Sequence, residues 1–319
     1  AMKELGRQFV LGRDIREALS EAAKQERHGW LYSYDMLGEA ARTEADAARY
    51  FENYRRAIAR LARRADPARL HDNPGISIKL SALHPRFETA KRATTLPVLV
   101  ARTTTLAEAA AAAGITFNID AEEMERLELT LDVAEAVLRA PSLAGWEGFG
   151  LVVQAYGPRA RAVVDWLDAL ARTLDRRLTV RLVKGAYWDT EIKRAQVLGL
   201  EGFAVFTRKA HTDVAYLACA RALLARRPRL YPQFATHNAH TAAAILEFAG
   251  DDKSGFEFQR LHGMGEALHE LLRAEEGLPS RIYAPVGAHA DLLAYLVRRL
   301  LENGANSSFV HQLLDADVP

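Results

Sequence analysis

The sequence predicts an α/β protein, a (β/α)₈ barrel of the TIM type that follows an N-terminal helical arm. Short apolar segments alternate with amphipathic helical segments along the chain, and there are eight such apolar segments. No linker or shift in composition separates them. An alternating series of eight units closes most simply as a parallel barrel. The alternative is a doubly wound open sheet, which normally has a glycine-rich turn after an early strand, and no G-x-G-x-x-G occurs there.

The predicted elements follow from hydrophobic period and capping residues. The arm covers residues 1–29, with a helical pattern over 3–24, and the barrel covers 30–319. The predicted strands are short and apolar, at 30–34, 76–80, 115–119, 150–154, 178–183, 230–235, 256–261 and 281–284. Helices are predicted at 43–64, 122–139, 158–174, 190–224 with a break near 199–202, 240–248, 266–274 and 291–302. Thr43 is expected to cap the first of these, with Asp46 completing a capping box.

Composition excludes several classes of protein. The 319 residues include 42 basic and 41 acidic side chains, and a net charge of +1 argues against a general nucleic-acid binder. A single cysteine, Cys219, excludes an intramolecular disulfide and is expected to pack in a helix. No apolar run approaches the roughly 20 residues that span a bilayer, and no signal-peptide pattern occurs. A cytoplasmic protein is therefore expected, and a peripheral membrane contact stays open.

The segment 180–194 has the pattern of a cofactor site. A buried strand contains Arg181 and is followed by Lys184, Gly185, two aromatic residues and a helix. Positive charge, an open backbone and flat rings suit a large, anionic, planar cofactor. A buried ion pair with packing aromatics is the alternative.

Polar residues follow most of the predicted strands. Active sites of (β/α)₈ barrels lie at the C-terminal ends of the strands, so these residues are candidates for the chemistry. They are Lys79, Asp120, Gln154, Arg181, Lys184, Thr236, His237, Asn238 and Tyr283. Their spread over six strands favours a functional site over turn-forming residues.

The last predicted helix presents a second group of polar residues. Tyr295, Arg298, Arg299 and Glu302 are three or four residues apart and can face one pocket. Two neighbouring guanidinium groups repel each other unless an anion lies between them, and a carboxylate is a natural bidentate ligand. With Lys79 in the same barrel mouth, a substrate carboxylate is expected. A surface pair balanced by Glu302 is the alternative.

Other patterns point less strongly to chemistry. His237 and His240 lack the further ligands that a metal site needs, so no metal is expected. Lys184 could instead form a Schiff base with a carbonyl substrate. A run of acids is expected to be a solvated helix face; it comprises Glu122, Glu123, Glu125 and Glu128.

Six segments together resemble one family. They are residues 77–83, 118–123, 181–188, 235–238, 261–266 and 295–303. In order and spacing they resemble the proline dehydrogenase domain of the bifunctional bacterial proline utilization A proteins. The resemblance runs from about residue 30 to the end of the chain, and it suggests an excised catalytic domain.

The resemblance implies a distorted (β/α)₈ barrel that holds non-covalent FAD. Such a domain oxidises L-proline to Δ1-pyrroline-5-carboxylate by hydride transfer to flavin N5 and passes the electrons to a membrane quinone of the ubiquinone type. It further implies a parent protein with an aldehyde dehydrogenase domain, located in the cytoplasm and peripherally attached to the inner membrane.

The resemblance also implies roles for individual residues. Lys79, Arg298 and Arg299 would bind the substrate carboxylate, Asp120 would orient the site, and Glu39 would pair with Arg298 as a gate. The substrate ring would be enclosed by Ala186, Tyr187, Leu261, Tyr283 and Tyr295. Flavin contacts would come from Gln154, Arg181, Val183, Lys184, Gly185, Trp188, Thr207, Thr236, His237, Asn238 and Glu302, with Arg181 near N5.

Two questions stay open from the sequence. The acceptor of the proline ring proton could be neutral Lys79, Asp120 or water. The rivals to a flavin-dependent proline oxidase are a Schiff-base aldolase that uses Lys184 and a ligand-binding barrel without catalysis.

Overall fold

The computed structural model describes residues 9–66, 68–287 and 295–298. Eight parallel strands close into a barrel in chain order, with β8 paired to β1. The predicted (β/α)₈ class is confirmed. The strands are β1 Leu31–Met36, β2 Gly75–Ile78, β3 Thr116–Ile119, β4 Phe149–Gln154, β5 Leu178–Val183, β6 Leu230–Ala235, β7 Glu257–Leu261 and β8 Ser280–Val286.

Helices connect the strands around the outside of the barrel. They are α1 Ile15–Glu26, α2 Glu44–Leu61, α3 Leu80–Leu83, α4 Arg92–Ala112, α5 Leu127–Leu138, α6 Ala160–Thr173, α7 Trp188–Val197, α8 Lys209–Leu224, α9 Ala239–Ala249 and α10 Glu266–Ala274. Residues 295–298 are also helical. Thr43 caps α2 in a capping box with Asp46, as predicted.

The structure differs from the sequence prediction at several element boundaries and in one whole helix. Helix α4, which spans 21 residues, was not predicted, because its alanines, threonines and internal Pro97 form no clear apolar stripe. Strand β2 ends at Ile78, and Leu80 begins the short helix α3. Helix α5 begins only at Leu127, because residues 120–123 form an irregular connection and a 3₁₀ turn precedes the helix.

The two faces of the barrel wall differ in polarity. Arg181 on β5 donates hydrogen bonds to Ser33 on β1 and Ser77 on β2, so these three side chains face the barrel interior. Side chains alternate along a strand, so Ile76 and Leu182 face the helices, where they join the main hydrophobic cluster. The interior therefore carries the polar groups, and the shell between strands and helices is apolar.

The N-terminal segment packs directly on the barrel. Asp14 caps α1, and the Leu11 amide donates to the carbonyl of Pro285 at 3.0 Å. Ile15 and Leu19 belong to the same hydrophobic cluster as the barrel strands. The domain boundary at residues 29 and 30 stays a prediction. Cys219 is buried in α8, and within the described residues no helix has the length and apolarity to cross a bilayer.

Candidate active site

Four charged side chains form a buried cluster at the C-terminal end of the barrel. The Lys79 Nζ atom lies 3.0 Å from both carboxylate oxygens of Asp35 and 3.0 Å from Asp120 Oδ2. Arg181 Nη1 donates to Asp120 Oδ1 at 2.9 Å, and the Tyr283 hydroxyl donates to Asp120 Oδ2 at 2.6 Å. All four charged residues are less than a tenth exposed. Two cations thus face two carboxylates in a site from which water is largely excluded.

The electrostatics of the cluster favour a protonated Lys79. Burial alone would lower the pKa of Lys79, but Asp35, Tyr283 and Asp120 outweigh burial and raise this pKa well above its usual value. Burial likewise tends to raise the pKa of Asp120, yet Lys79 and Arg181 lower it overall. The pKa of Asp35 is raised, because full burial outweighs its single lysine partner. A neutral Lys79, one of the bases considered from the sequence, does not fit this arrangement.

Polar groups from three strands fix the two cations. Arg181 donates to Ser77 Oγ at 3.0 Å and to Ser33 Oγ at 3.2 Å, and its guanidinium carbon lies 5.1 Å from the centre of the Tyr283 ring. The backbone amide of Lys79 donates to the Tyr54 hydroxyl at 3.1 Å. The Arg181 Nε atom is buried without a hydrogen-bond partner among the described residues.

The Arg298 side chain forms a bidentate ion pair with Glu39. Arg298 Nη1 and Nη2 lie 2.6 and 2.9 Å from the two Glu39 carboxylate oxygens. The guanidinium carbon lies 5.0 Å from the centre of the buried Tyr187 ring. Burial tends to raise the pKa of Glu39, but Arg298 lowers it overall. Tyr295, one helical turn before Arg298, is buried.

The ends of β4 and β5 place polar and aromatic groups beside the cluster. Gln154 Nε2 donates to the Glu122 carbonyl at 2.9 Å. Lys184 forms an ion pair with Asp213 of α8. The exposed Trp188 donates from its indole nitrogen to the carbonyl of Phe206, next to the exposed Thr207.

Gly185 requires the backbone freedom of glycine. Its φ angle is +135°, and an added Cβ would lie 2.4 Å from Tyr156 Cδ2. The chain can therefore turn sharply after β5 only without a side chain at this position. Val183 and Ala186 flank the turn and are partly or fully exposed.

The end of β6 is fixed by hydrogen bonds to β7 and to α9. His237 Nε2 accepts the Leu261 amide at 3.0 Å, which places the ring proton of neutral His237 on Nδ1. Asn238 caps α9 by accepting the Thr241 amide at 2.8 Å, and the Asn238 amide donates to Thr236 Oγ1. Gly265 leaves room for His237, since a Cβ there would lie 2.8 Å from the His237 ring.

The structure brings most of the candidate residues to one end of the barrel. Lys79, Asp120, Arg181 and Tyr283 form one hydrogen-bonded cluster, and Glu39 pairs with Arg298. The other candidates at this end lie on the strand ends around the cluster or on the turns that follow them. Arg299 and Glu302 lie outside the described residues.

Sequence reasoning missed Asp35 and misplaced Glu122. Asp35 lies within β1, where the predicted strand stops at residue 34, and an acid inside an apolar segment was the available signal. Glu122 was expected on a solvated helix face but is 6% exposed and precedes the helix. The expectation was wrong because the Glu122 carboxylate accepts the Ser81 amide at 3.0 Å inside the protein.

Metal ligation finds no support in the part of the chain that the structure describes. Within residues 9–66, 68–287 and 295–298, no group of three or more histidine, cysteine or acidic side chains could hold an ion. The His237 Nε2 atom is already an acceptor for a backbone amide.

Comparison with known proteins identifies the family. The family model for proline dehydrogenase matches residues 18–312. The chain is 54% identical to the bifunctional protein PutA of Escherichia coli over its whole length, and it spans only 25% of that protein. It is 27% identical to proline dehydrogenase 1 of Bacillus subtilis over 95% of the chain and 88% of that protein.

A solved structure agrees with this relationship. The fold matches a variant of proline utilization A from Bradyrhizobium japonicum with a TM-score of 0.89 and 58% identity, over 99% of this chain and 32% of that one. The resemblance inferred from six short segments is thereby confirmed over the whole chain. The chain belongs to the proline dehydrogenase family.

Proposed function

We propose that this chain oxidises L-proline to Δ1-pyrroline-5-carboxylate with FAD as its cofactor. Membership of the proline dehydrogenase family supports the reaction. One observation carries the proposal. At one end of the barrel, the buried cluster of two cations and two carboxylates lies near Arg298, which already binds a carboxylate. A small amino acid with one carboxylate and an apolar ring suits such a site.

Arg298 would bind the substrate carboxylate. In the structure it holds the Glu39 carboxylate through both terminal nitrogens, which is the geometry that a free carboxylate would adopt. We infer that proline displaces Glu39 from at least one of these nitrogens, so that Glu39 acts as a gate. Arg299 would supply a second charge. Lys79 would contribute mainly through its positive charge, since Asp35 and Asp120 already accept from its ammonium group.

The substrate ring would lie among aromatic and aliphatic side chains. Tyr187 and Tyr295 are buried beside Arg298, and Tyr283 reaches the cluster through its hydroxyl. Leu261, at the end of β7, and Ala186, in the turn after β5, would complete the enclosure. Such walls exclude water and hold the carbon next to the ring nitrogen in one orientation.

The residues at the ends of β4 to β6 fit a large anionic cofactor. The Gly185 turn admits a close approach to the backbone, Trp188 offers an exposed ring, and Lys184 is a partly exposed cation. Arg181 has a buried Nε donor without a partner among the described residues, which a cofactor atom could accept from. Further contacts would come from Gln154, Val183, Thr207, Thr236, His237, Asn238 and Glu302.

When bound, FAD would supply the acceptor, at its N5 atom, for the hydride that leaves the proline carbon. Arg181 would place positive charge beside that atom. Asp120 would orient Arg181 and Tyr283 through the hydrogen bonds that it accepts from them. Lys79 is protonated and the pKa of Asp120 is lowered, so both are poor bases. We propose that water takes the proton from the proline ring nitrogen.

The wider context rests on the relatives. The PutA relatives are bifunctional proteins, and this chain spans about a quarter of the Escherichia coli one. We propose that the chain acts within a parent protein at the cytoplasmic face of the inner membrane. There it would pass electrons to a ubiquinone-type acceptor and its product to an aldehyde dehydrogenase domain. The Schiff-base alternative is disfavoured, because Lys184 forms an ion pair with Asp213 and an ammonium group is not a nucleophile.

Substitution of Arg298 tests the proposed substrate contact. Arg298→Met should raise the KM for proline roughly 10- to 150-fold, the range for a lost charge-assisted contact of about 1.5 to 3 kcal/mol. Steady-state reduction of a soluble quinone gives KM. Arg55→Met, which removes an exposed arginine paired with Glu52, is the matched control and should change nothing. An unchanged KM in Arg298→Met would remove the carboxylate contact from the proposal.

A further inference from the structure

Glu122 is a buried acid that the proposed reaction does not use. It lies in the irregular connection between β3 and α5, two residues after Asp120, and is 6% exposed. Its Oε1 atom accepts the backbone amide of Ser81 at 3.0 Å, and its carbonyl accepts Gln154 Nε2 at 2.9 Å. One residue thus contacts helix α3, which follows β2, and the last residue of β4.

Ser81 in turn holds the segment that carries Glu39. The Ser81 Oγ atom accepts the Ala40 amide at 2.9 Å, and the Ser81 carbonyl accepts the Ala41 amide at 2.9 Å. Ala40 has a φ angle of +50°, a region that residues with a Cβ rarely adopt. Such a conformation persists only when the surroundings enforce it, and Ser81 supplies two of the bonds that do so.

We propose that Glu122 is a positioning residue that acts through Ser81 to hold the Glu39 segment in the conformation that pairs Glu39 with Arg298. The inference concerns the geometry of the chain itself, and it rests on the proposed function only where it bears on proline binding. The route runs from the Glu122 carboxylate to the Ser81 amide, and from the Ser81 hydroxyl and carbonyl to Ala40 and Ala41.

The surroundings of Glu122 make its hydrogen bond with the Ser81 amide sensitive to pH near neutrality. Burial raises the pKa of Glu122 to about 7, partly offset by Arg126, whose Nη1 lies 3.5 Å from Oε2. Glu123 adds a like charge, and Tyr187, in the turn after β5, also interacts electrostatically with Glu122. The ionised carboxylate accepts a stronger hydrogen bond from Ser81 than the neutral acid does. The hydrogen bond from the Ser81 amide to Glu122 therefore becomes stronger as pH rises through about 7.

Amide hydrogen exchange without proline tests the positioning role directly. In Glu122→Ala the amides of Ala40 and Ala41 should exchange roughly fivefold faster, the factor that corresponds to one net hydrogen bond. Glu122→Gln keeps an acceptor and should restore protection. Glu125→Gln, which removes an exposed acid of the same connection paired with Arg194, is the control and should match the unsubstituted protein. Unchanged exchange in Glu122→Ala would overturn the proposal.

Ser81→Ala provides a second variant that leaves Glu122 intact. It removes the acceptor for the Ala40 amide but keeps the carbonyl that binds Ala41, so only the Ala40 amide should exchange faster. Equal exchange of Ala40 in Ser81→Ala and in the unsubstituted protein would contradict the route through Ser81. Because neither measurement uses proline, both test the positioning role of Glu122 even if the proposed oxidation is wrong.

Kinetics then test the consequence for substrate binding. Glu39 binds both terminal nitrogens of Arg298. A Glu39 segment that is fixed more firmly should therefore compete more strongly with the substrate carboxylate for Arg298. The KM for proline should rise with pH through about 7 in the unsubstituted protein and lose this step in Glu122→Gln, with kcat unchanged. A KM profile that is the same in both proteins would refute the coupling to Arg298.

Discussion

Removal of Asp35 should destabilise the protein by leaving an uncompensated positive charge in the barrel. Lys79 and Arg181 balance Asp35 and Asp120, so the four charges sum to zero. Asp35→Asn leaves Lys79 and Arg181 with one carboxylate between them. Breaking a buried ion pair in this way costs about 3 to 5 kcal/mol. We expect a loss of unfolding free energy in that range.

Replacement of the partner cation should have a different dependence on pH. Lys79→Met leaves Asp35 without its cation, and the pKa of Asp35, already raised by burial, rises further. A carboxyl group whose pKa is higher in the folded than in the unfolded state lowers the unfolding free energy of the protein as pH rises towards the folded-state pKa. Lys79→Met should therefore be milder at acidic pH and more severe at alkaline pH.

The double variant Asp35→Asn/Lys79→Met measures the coupling between the two residues. It removes one charge of each sign, so it should cost about 2 to 3 kcal/mol less than the sum of the single variants. Urea unfolding followed by circular dichroism at about pH 6 and about pH 9 gives these energies. Lys24→Met, which breaks an exposed pair with Glu21, should change stability by less than about 1 kcal/mol. Additive single effects would refute the reasoning.

Three further predictions concern positions around the site and at a helix start. Gly185→Ala should lower the flavin absorbance per mole of purified protein, because the new Cβ would lie 2.4 Å from Tyr156; an unchanged flavin content would contradict this. Thr43→Ala should cost about 1 kcal/mol in thermal or urea unfolding and leave kcat unaltered, since it removes only the α2 cap; a change in kcat would disagree. Glu122 has a pKa of about 7 against an ordinary 4.5, so ionisation of the folded form costs up to about 3 kcal/mol as pH rises across that interval. Glu122→Gln should remove this fall in unfolding free energy, and an identical pH dependence in both proteins would count against a buried acid.

The fold was predictable because the barrel wall has a strict apolar pattern. The segments Leu178–Val183 and Leu230–Ala235 were located to the residue, since their outward side chains form the apolar shell. Helix Arg92–Ala112 escaped prediction, since its packing depends on tertiary contacts of small residues and not on a marked apolar stripe.

The site was predictable in its residue types but not in its pairings. Strand ends pointed to Lys79, Asp120 and Arg181, because polar residues are unusual there without a function. The sequence could not show that Asp35 shares Lys79 with Asp120, since that contact joins β1 to the residues that directly follow β2 and β3. It likewise gave no sign that Glu122 turns inward, because an acidic run normally faces solvent.

We propose above all that this end of the barrel binds a flavin and that proline reduces it. The most direct measurement is the visible absorption spectrum of the purified protein under anaerobic conditions, before and after addition of L-proline. We expect flavin absorption bands that bleach on addition of proline, and a much weaker response in Arg298→Met at the same proline concentration. A protein that carries flavin but keeps its full absorbance with excess proline, or one that binds no flavin at all, would contradict it.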